Sequence, residues 1–239
     1  MSLCPKIGIN FRFLCELKKR LISGIIVLKE VNAMANNLVI AIGREFGSGG
    51  RETARKVAEK LGIKMYDKEL IAMMAKSSGM SEEVLHEVDE TAVNSFLYAL
   101  SSGTISGAAL VSGTTTLPIT DKAFISCSKI IKEIADKESC VIVGRCAESI
   151  LKGRENLLTV FIHADMEQRI DRICEHENIS RESAASVIKR ADKKRASYHN
   201  YYSDTRWGAR TAYDLCINSK IGTDAVADII VKAATALQK

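Results

Sequence analysis

Residues 38–52 read LVIAIGREFGSGGRE, and this stretch decides the fold. The run Leu38 to Ile42 is uniformly apolar, the pattern of a strand buried on both faces. It feeds into Gly47, Ser48, Gly49 and Gly50, after which Arg55, Val57, Ala58 and Leu61 follow helical spacing. A strand, a glycine-rich turn and a helix over Arg51 to Leu61 are therefore expected in that order. Residues with little or no side chain let the backbone approach an anion closely, and the first N–H groups of a helix lack an intrahelical acceptor. The turn is thus a candidate phosphate cradle. The other reading is a tight β-to-α turn whose glycines only permit close packing of strand and helix.

Set against the P-loop pattern G-x-x-x-x-G-K-[ST], the match is partial. With Gly49 as the last motif glycine, Gly50 falls at the lysine position, Arg51 at the Ser/Thr position and Arg44 at the first glycine. The backbone cradle is kept and the positive charge stands at Arg44 and Arg51. These are planar forks that hold phosphate oxygens bidentately, where lysine acts as a point charge. The nearest hydroxyl, Thr53, comes two positions late. Arg44, Gly47, Ser48, Gly49, Gly50, Arg51 and Glu52 are the candidate donor-phosphate residues.

Outward from the loop, Gly62 stops the helix before a short apolar segment, Ile63 to Tyr66, making a β-α-β opening. Helical spacing resumes from Lys68 to Gly79, and Ser81 with Glu82, Glu83, Leu85 and Val88 reads as an N-capped helix. The uncharged stretch at 101–120, SSGTISGAALVSGTTTLPIT, is either a mobile loop that folds over a ligand or a plain linker. Phe124, Cys127, Ile131 and Ile134 mark an amphipathic helix, and Cys140 to Val143 a buried strand ending at Gly144 and Arg145. A further strand, Leu157 to Ile162, precedes Asp165 as the cap of a helix bearing Arg169 and Arg172. A polar helix from Ser180 to about Tyr202 carries KRADKKR, and a last strand, Tyr213 to Ile217, leads to a closing helix from Thr223. This alternation implies a parallel sheet buried on both faces, with ligands at the carboxyl ends of its strands. Gly43 to Gly50, Asp67, Arg145 and Asp214 are expected at such ends.

The 239 residues are 46% hydrophobic with 15 glycines and 2 prolines, material for one α/β domain with a helical insertion. The net charge of +5 comes from interspersed charges, which suits an anionic ligand and does not by itself indicate nucleic acid. Lys193, Lys194, Arg195, Arg206, Trp207 and Arg210, with Tyr198, Tyr201 and Tyr202 between them, would suit a nucleic acid; packing of these rings onto the domain is the preferred reading. The cysteines at 4, 15, 127, 140, 146, 174 and 216 are odd in number and form no C-x-x-C pair. They are expected to be reduced thiols of a cytoplasmic protein. The histidines at 86, 163, 176 and 199 show no ligand spacing, so surface or loop positions and no metal site are expected. No segment approaches the ~20 apolar residues of a membrane span. Met34 begins MANNLVIAIG, a natural opening for a functional first strand, so residues 1–33 are expected to be a dispensable N-terminal extension, either an accessory helix or the product of a misassigned start. A homo-oligomer is left open.

The order IAI, glycine loop, helix, LG-x-x-x-YD, then VIVGR, a strand with an Arg-bearing helix, RADKKR and YDLCINS resembles the cytidylate kinase-like proteins, P-loop relatives of nucleoside monophosphate kinases. The resemblance covers residues 38–239. It implies a P-loop NTPase three-layer α/β sandwich with a five-stranded parallel sheet in a domain over 34–239. A helical acceptor-binding insertion at about 68–137 and a lid at about 180–210 complete it. ATP and Mg²⁺ are the implied cofactors, and small-molecule nucleotides, a CMP- or dCMP-like acceptor among them, the implied partners. In the family the LD ending the second strand borders the monophosphate, which implies Tyr66 and Asp67 for acceptor binding. The GR after the third strand supplies an arginine to the same phosphate, which implies Arg145. The lid's D-x-x-R element implies Asp192 and Arg195, so Arg51, Arg145, Arg190, Asp192 and Arg195 are the candidate catalytic groups. The chain departs from the family where Val143 and Cys146 replace acidic residues flanking the GR arginine and Met73 replaces an arginine beyond the LD. The loop REFGSGG resembles that of a divergent kinase-like subfamily. A second reading keeps the fold as a non-catalytic nucleotide or phosphometabolite sensor, because the loop lacks its lysine and Ser/Thr.

Overall fold

The computed structural model describes residues 37–78 and 118–238. The readings of an extension over 1–33, of a capped helix from Ser81 and of most of the 101–120 stretch fall outside the described residues. Within them the order is β1 (Val39–Arg44), α1 (Gly50–Leu61), β2 (Lys64–Tyr66), α2 (Glu69–Ser78), α3 (Ile119–Lys137), β3 (Cys140–Val143) and α4 (Ala147–Ile150). There follow β4 (Leu157–His163), α5 (Met166–Glu177), α6 (Arg181–Tyr202), β5 (Leu215–Asn218) and α7 (Thr223–Leu237). The strands form one five-stranded sheet in the order β2-β3-β1-β4-β5, every neighbouring pair parallel.

The uniform apolarity of β1 is explained by its central place. Side chains alternate across a strand, so a strand covered on both sides must be apolar at every position. Ile40, Ile42, Val141, Val160 and Ile162 meet Ala54, Val57, Val226 and Ile230 of α1 and α7 on one face. Val39, Ala41, Cys140 and Ile142 meet Leu70, Ile131, Ile134 and Ala147 of α2, α3 and α4 on the other. Ile40 and Ile131 are fully buried, and truncating either to alanine would cost about 2–5 kcal/mol. The helices α5 and α6 pack against each other around their own cluster of Ile170, Ile173, Ala184 and Ile188, against which Phe46 of the glycine loop packs.

Local signals set most boundaries. Gly62 ends α1 at φ 65°, its N–H donating to the Ala58 and Glu59 carbonyls. Ser180 caps α6 by accepting the Ser183 N–H at 3.2 Å. Two expectations need correction. The last strand starts at Leu215 and not Tyr213, so Asp214 lies at its amino end, opposite the expected one. There it accepts the Thr159 N–H at 2.8 Å and the Thr159 hydroxyl at 2.7 Å, a brace between β4 and the entry to β5. His199 is not at the surface but 4% exposed. Its Nε2 stands 2.8 Å from Glu148 Oε1, where the C-terminal part of α6 packs on α4. A buried polar pair of this kind is brought together by the packing of two separate segments, which no spacing within either segment reveals.

The described cysteines, Cys127, Cys140, Cys146, Cys174 and Cys216, form no disulfide with one another. Among the described residues no helix is long and apolar enough to cross a membrane.

Candidate functional site

The glycine loop joins β1 to α1 in the middle of the sheet, at the carboxyl end of its central strand. Gly47 and Gly49 adopt φ 77° and 75°, a region costly for any residue with a Cβ. A Cβ on Gly49 would come within 2.9 Å of Thr223 Cγ2. The α1 helix has no side-chain cap, which leaves its first N–H groups for an anion. The buried Ser48 hydroxyl donates to the Glu45 carbonyl at 2.9 Å, and the Ser48 carbonyl accepts from Ser219 Oγ at 2.6 Å. The Thr53 hydroxyl donates to the Gly49 carbonyl at 3.1 Å and is thereby committed to the helix backbone. Glu52 sits on the seam between α1 and α7, taking a hydrogen bond from Thr223 Oγ1 at 2.9 Å and pairing with Lys56 at 2.9 Å. The Lys56 hydrogen bond holds the Glu52 carboxyl below its ordinary range.

Both loop arginines meet at one carboxylate. Arg51 Nε lies 2.6 Å from Asp67 Oδ2 and Arg44 Nη2 lies 3.8 Å from Asp67 Oδ1. Asp67 follows β2 and is only 13% exposed, so an acid at the end of the sheet's edge strand reaches the loop on its central strand. Tyr66 is differently engaged: its hydroxyl donates to Glu138 at 2.5 Å, just past the end of α3, and burial pushes the phenol up.

The turn after β3 lies between these two. Gly144, Arg145 and Cys146 take φ 75°, 60° and 56° in succession, two of them with side chains in the left-handed region. Each such non-glycine residue costs about 1–3 kcal/mol and persists only where its surroundings hold it. The holders are visible: Cys146 is buried with its thiol pushed up by that burial, and in α4 Glu148 meets His199 while Ser149 Oγ bonds Ser203 Oγ at 2.9 Å. The backbone of Gly144 lies against the guanidinium of Arg44, so the turn that presents Arg145 touches the loop arginine.

The long helix α6 grips the loop by its backbone. Asp192 Oδ1 accepts the Phe46 N–H at 2.8 Å, and Arg195 Nη1 donates to the Arg44 carbonyl at 3.1 Å. The Arg195 guanidinium also stands 5.3 Å from the centre of the Phe46 ring. Arg190, one turn earlier, is exposed and has no ion pair or hydrogen bond with another described residue. Four contributors escaped the sequence reading of the site. Arg169, 4% exposed, donates from Nε to the Phe46 carbonyl at 2.8 Å, lies 3.1 Å from Glu45 Oε2 and pairs with Asp192. Glu45 also accepts the Ala164 N–H at 3.1 Å, and Arg172 donates to the Gly47 carbonyl at 2.8 Å. Phe46, an apolar residue inside a polar turn, carried the one local hint; the others gave none.

These residues fit a chain of phosphates: left-handed glycines, an uncapped helix start and two arginines in one place. For Mg²⁺, Asp67 sets a carboxylate beside the two arginines, and among the described residues no group of three His, Cys, Asp or Glu side chains forms a metal site. Because Mg²⁺ is often held by one or two carboxylates together with substrate phosphates, this set suits an ion that arrives with its nucleotide.

A crystal structure of an uncharacterized protein from Eubacterium ventriosum ATCC 27560 is 32% identical over 84% of this chain and 99% of that one, with a TM-score of 0.60. A shikimate kinase from Acinetobacter baumannii in complex with shikimate is 13% identical over 86% and 97%, with a TM-score of 0.45. A gluconokinase from Sinorhizobium meliloti 1021 is 13% identical over 85% and 92%, with a TM-score of 0.42. No curated protein matches. The family model described as the cytidylate kinase-like family matches residues 39–221, a span that holds the glycine loop, Asp67, the Arg145 turn and α6. The chain therefore belongs to the cytidylate kinase-like family.

Proposed function

We propose that this chain transfers a phosphoryl group from ATP to a nucleoside monophosphate of the CMP or dCMP kind, or to a similar small acceptor. The observation that carries the reading is the meeting of Arg44 and Arg51 on Asp67, with the Arg145 turn packed against Arg44. Phosphoryl transfer asks a protein for positioning and charge, and a single well-placed arginine contributes ~10³–10⁵ in rate. The backbone amides of Gly47 to Gly50 cradle the donor phosphates. Arg44 and Arg51 supply the charge, and Asp67 holds both forks in the plane they need. Arg145 takes the acceptor phosphate, its side chain aimed by the left-handed turn. Asp192 and Arg195 contribute by fixing the loop backbone, and Arg190 remains available to close over bound nucleotide. Mg²⁺, carried in with ATP, would neutralise charge building on the transferred group.

A second reading, a nucleotide or phosphometabolite sensor that binds without turnover, is favoured by one observation. The Thr53 hydroxyl is bonded to Gly49 and position 51 has no hydroxyl, so the loop lacks the usual metal-facing oxygen. Coupled ADP release from ATP·Mg²⁺ against a panel of nucleoside monophosphates and small hydroxyl acceptors separates the two, beside an Arg51→Ala, Arg145→Ala double variant. Acceptor-dependent turnover lost in the variant supports the kinase. Saturable ATP binding with no turnover on any acceptor supports the sensor.

A further inference from the structure

In the P-loop pattern the first motif position is glycine and the position after the last glycine is lysine; here position 44 is arginine and position 50 is glycine. The two positions lie against each other in the structure. A Cβ placed on Gly50 would stand 2.6 Å from Arg44 Cβ and 3.1 Å from Arg44 Cγ, well inside van der Waals contact. The Cβ of Arg44 is fixed by the end of β1 and cannot swing aside, because its own carbonyl is held by Arg195. A side chain at position 50 and a side chain at position 44 therefore exclude one another. At its far end the Arg44 guanidinium lies against Gly144, where any added side chain would push it from its seat, and 3.8 Å from Asp67.

We infer that Arg44 takes over the loop lysine's contact with the donor phosphates by reciprocal exchange: the cation has moved from position 50 to position 44, and Gly50 and Gly144 are positioning residues that keep its seat open. The inference rests on the proposed donor site and goes beyond it, since it ranks Arg44 above Arg51 as the replacement and states what must change with it. Arg44 reaches across the loop from the strand side and ends at the Arg145 turn, where donor and acceptor phosphates would meet. Arg51 is 55% exposed, and a group so hydrated contributes less to a phosphate contact.

The test uses binding of inorganic tripolyphosphate and of ATP by calorimetry, with folding followed by urea denaturation. The Arg44→Gly variant should bind both polyanions ~10–100-fold more weakly, as expected for loss of hydrogen bonds to a charged group. The Gly50→Lys variant should be the least stable of the set, and the Arg44→Gly, Gly50→Lys double variant should recover both stability and most of the lost affinity. If the lysine variant does not fold, the Gly50→Ala change is read alone and on the Arg44→Gly background: it should destabilise the first protein and be nearly neutral in the second. Undiminished binding by Arg44→Gly overturns the inference, as does additive behaviour in that cycle or a double variant no better than Arg44→Gly alone. A parent protein that binds neither tripolyphosphate nor ATP would overturn the donor-site reading itself, and the inference with it. Normal binding by the parent with a failed exchange overturns the exchange alone.

Discussion

Two turns at the carboxyl ends of neighbouring strands solve the same problem in opposite ways. The loop after β1 reaches the left-handed region at Gly47 and Gly49, and the turn after β3 reaches it at Gly144 and then at Arg145 and Cys146. Where the backbone amides are to hold the anion, glycine is the natural choice, since it takes positive φ without strain and lets the phosphate approach. Under the proposed reading a side chain holds the phosphate at the second turn, where glycine cannot serve and the strain of a left-handed arginine is retained. The bracing differs accordingly. The loop is fixed mainly through its backbone, at Arg44, Phe46, Gly47 and Ser48, whereas the β3 turn is fixed through the side chains of Glu148 and Ser149 that follow it.

The largest effect should come from the loop's buried brace. Replacing the buried Arg169 by leucine leaves the partly buried Glu45 and Asp192 without their shared cation, a loss approaching that of breaking a fully buried pair, about 3–5 kcal/mol. Urea denaturation should show that loss; a variant within 1 kcal/mol of the parent, on that same scale, would mean the brace is not a fixed contact. Next, Gly49→Ala introduces strain of about 1–3 kcal/mol at φ 75° against Thr223. It should lower stability and polyphosphate affinity together.

Arg145→Gly should go the other way, and so tests the contrast between the turns directly. It relieves about 1–2 kcal/mol of left-handed strain, offset in part by the roughly 0.5–1 kcal/mol that glycine's chain entropy costs. Stability should hold or rise slightly while acceptor KM rises and ATP affinity is kept. A clear loss of stability would show that the arginine anchors its turn rather than being strained by it.

The smallest effect lies at Glu52 on the loop's outer flank. Its folded-state carboxyl is held below the ordinary value of 4.5, chiefly by the Lys56 hydrogen bond. The folded protein thus binds fewer protons here than the unfolded chain, so the contribution is complete above about pH 4.5 and fades as pH falls through the lowered value. Glu52→Gln should cost less than about 1 kcal/mol at neutral pH, as for a partly exposed pair. The difference from the parent should vanish in acid; a gap that persists at pH 2 would point to lost packing instead.

Much of the fold was legible because its signals are local. The continuous apolar run of β1, the glycines that follow, the helical spacing of Val57, Ala58 and Leu61 and the stop at Gly62 each declare themselves within a few residues. The last strand was read two residues early because Tyr213 is apolar and buried like a strand residue, although the ladder begins only after Asp214 has bonded Thr159. His199 was misplaced for a related reason: a buried imidazole beside a buried carboxylate differs from a surface one only through its partner.

The sequence by itself determined a parallel α/β architecture, a glycine-rich turn between the first strand and its helix, and family membership, since all three are written in short-range pattern and motif order. Only the tertiary structure decided which charges meet. The Phe46 N–H finds Asp192 across 146 positions of chain, and the Arg44 side chain lies where a Cβ on Gly50 would stand 2.6 Å away. Such contacts depend on how helices pack over a sheet, and packing is satisfied by many arrangements of the same surface charges. A residue's type can therefore announce that it will seek a partner, while the partner itself is chosen by the fold.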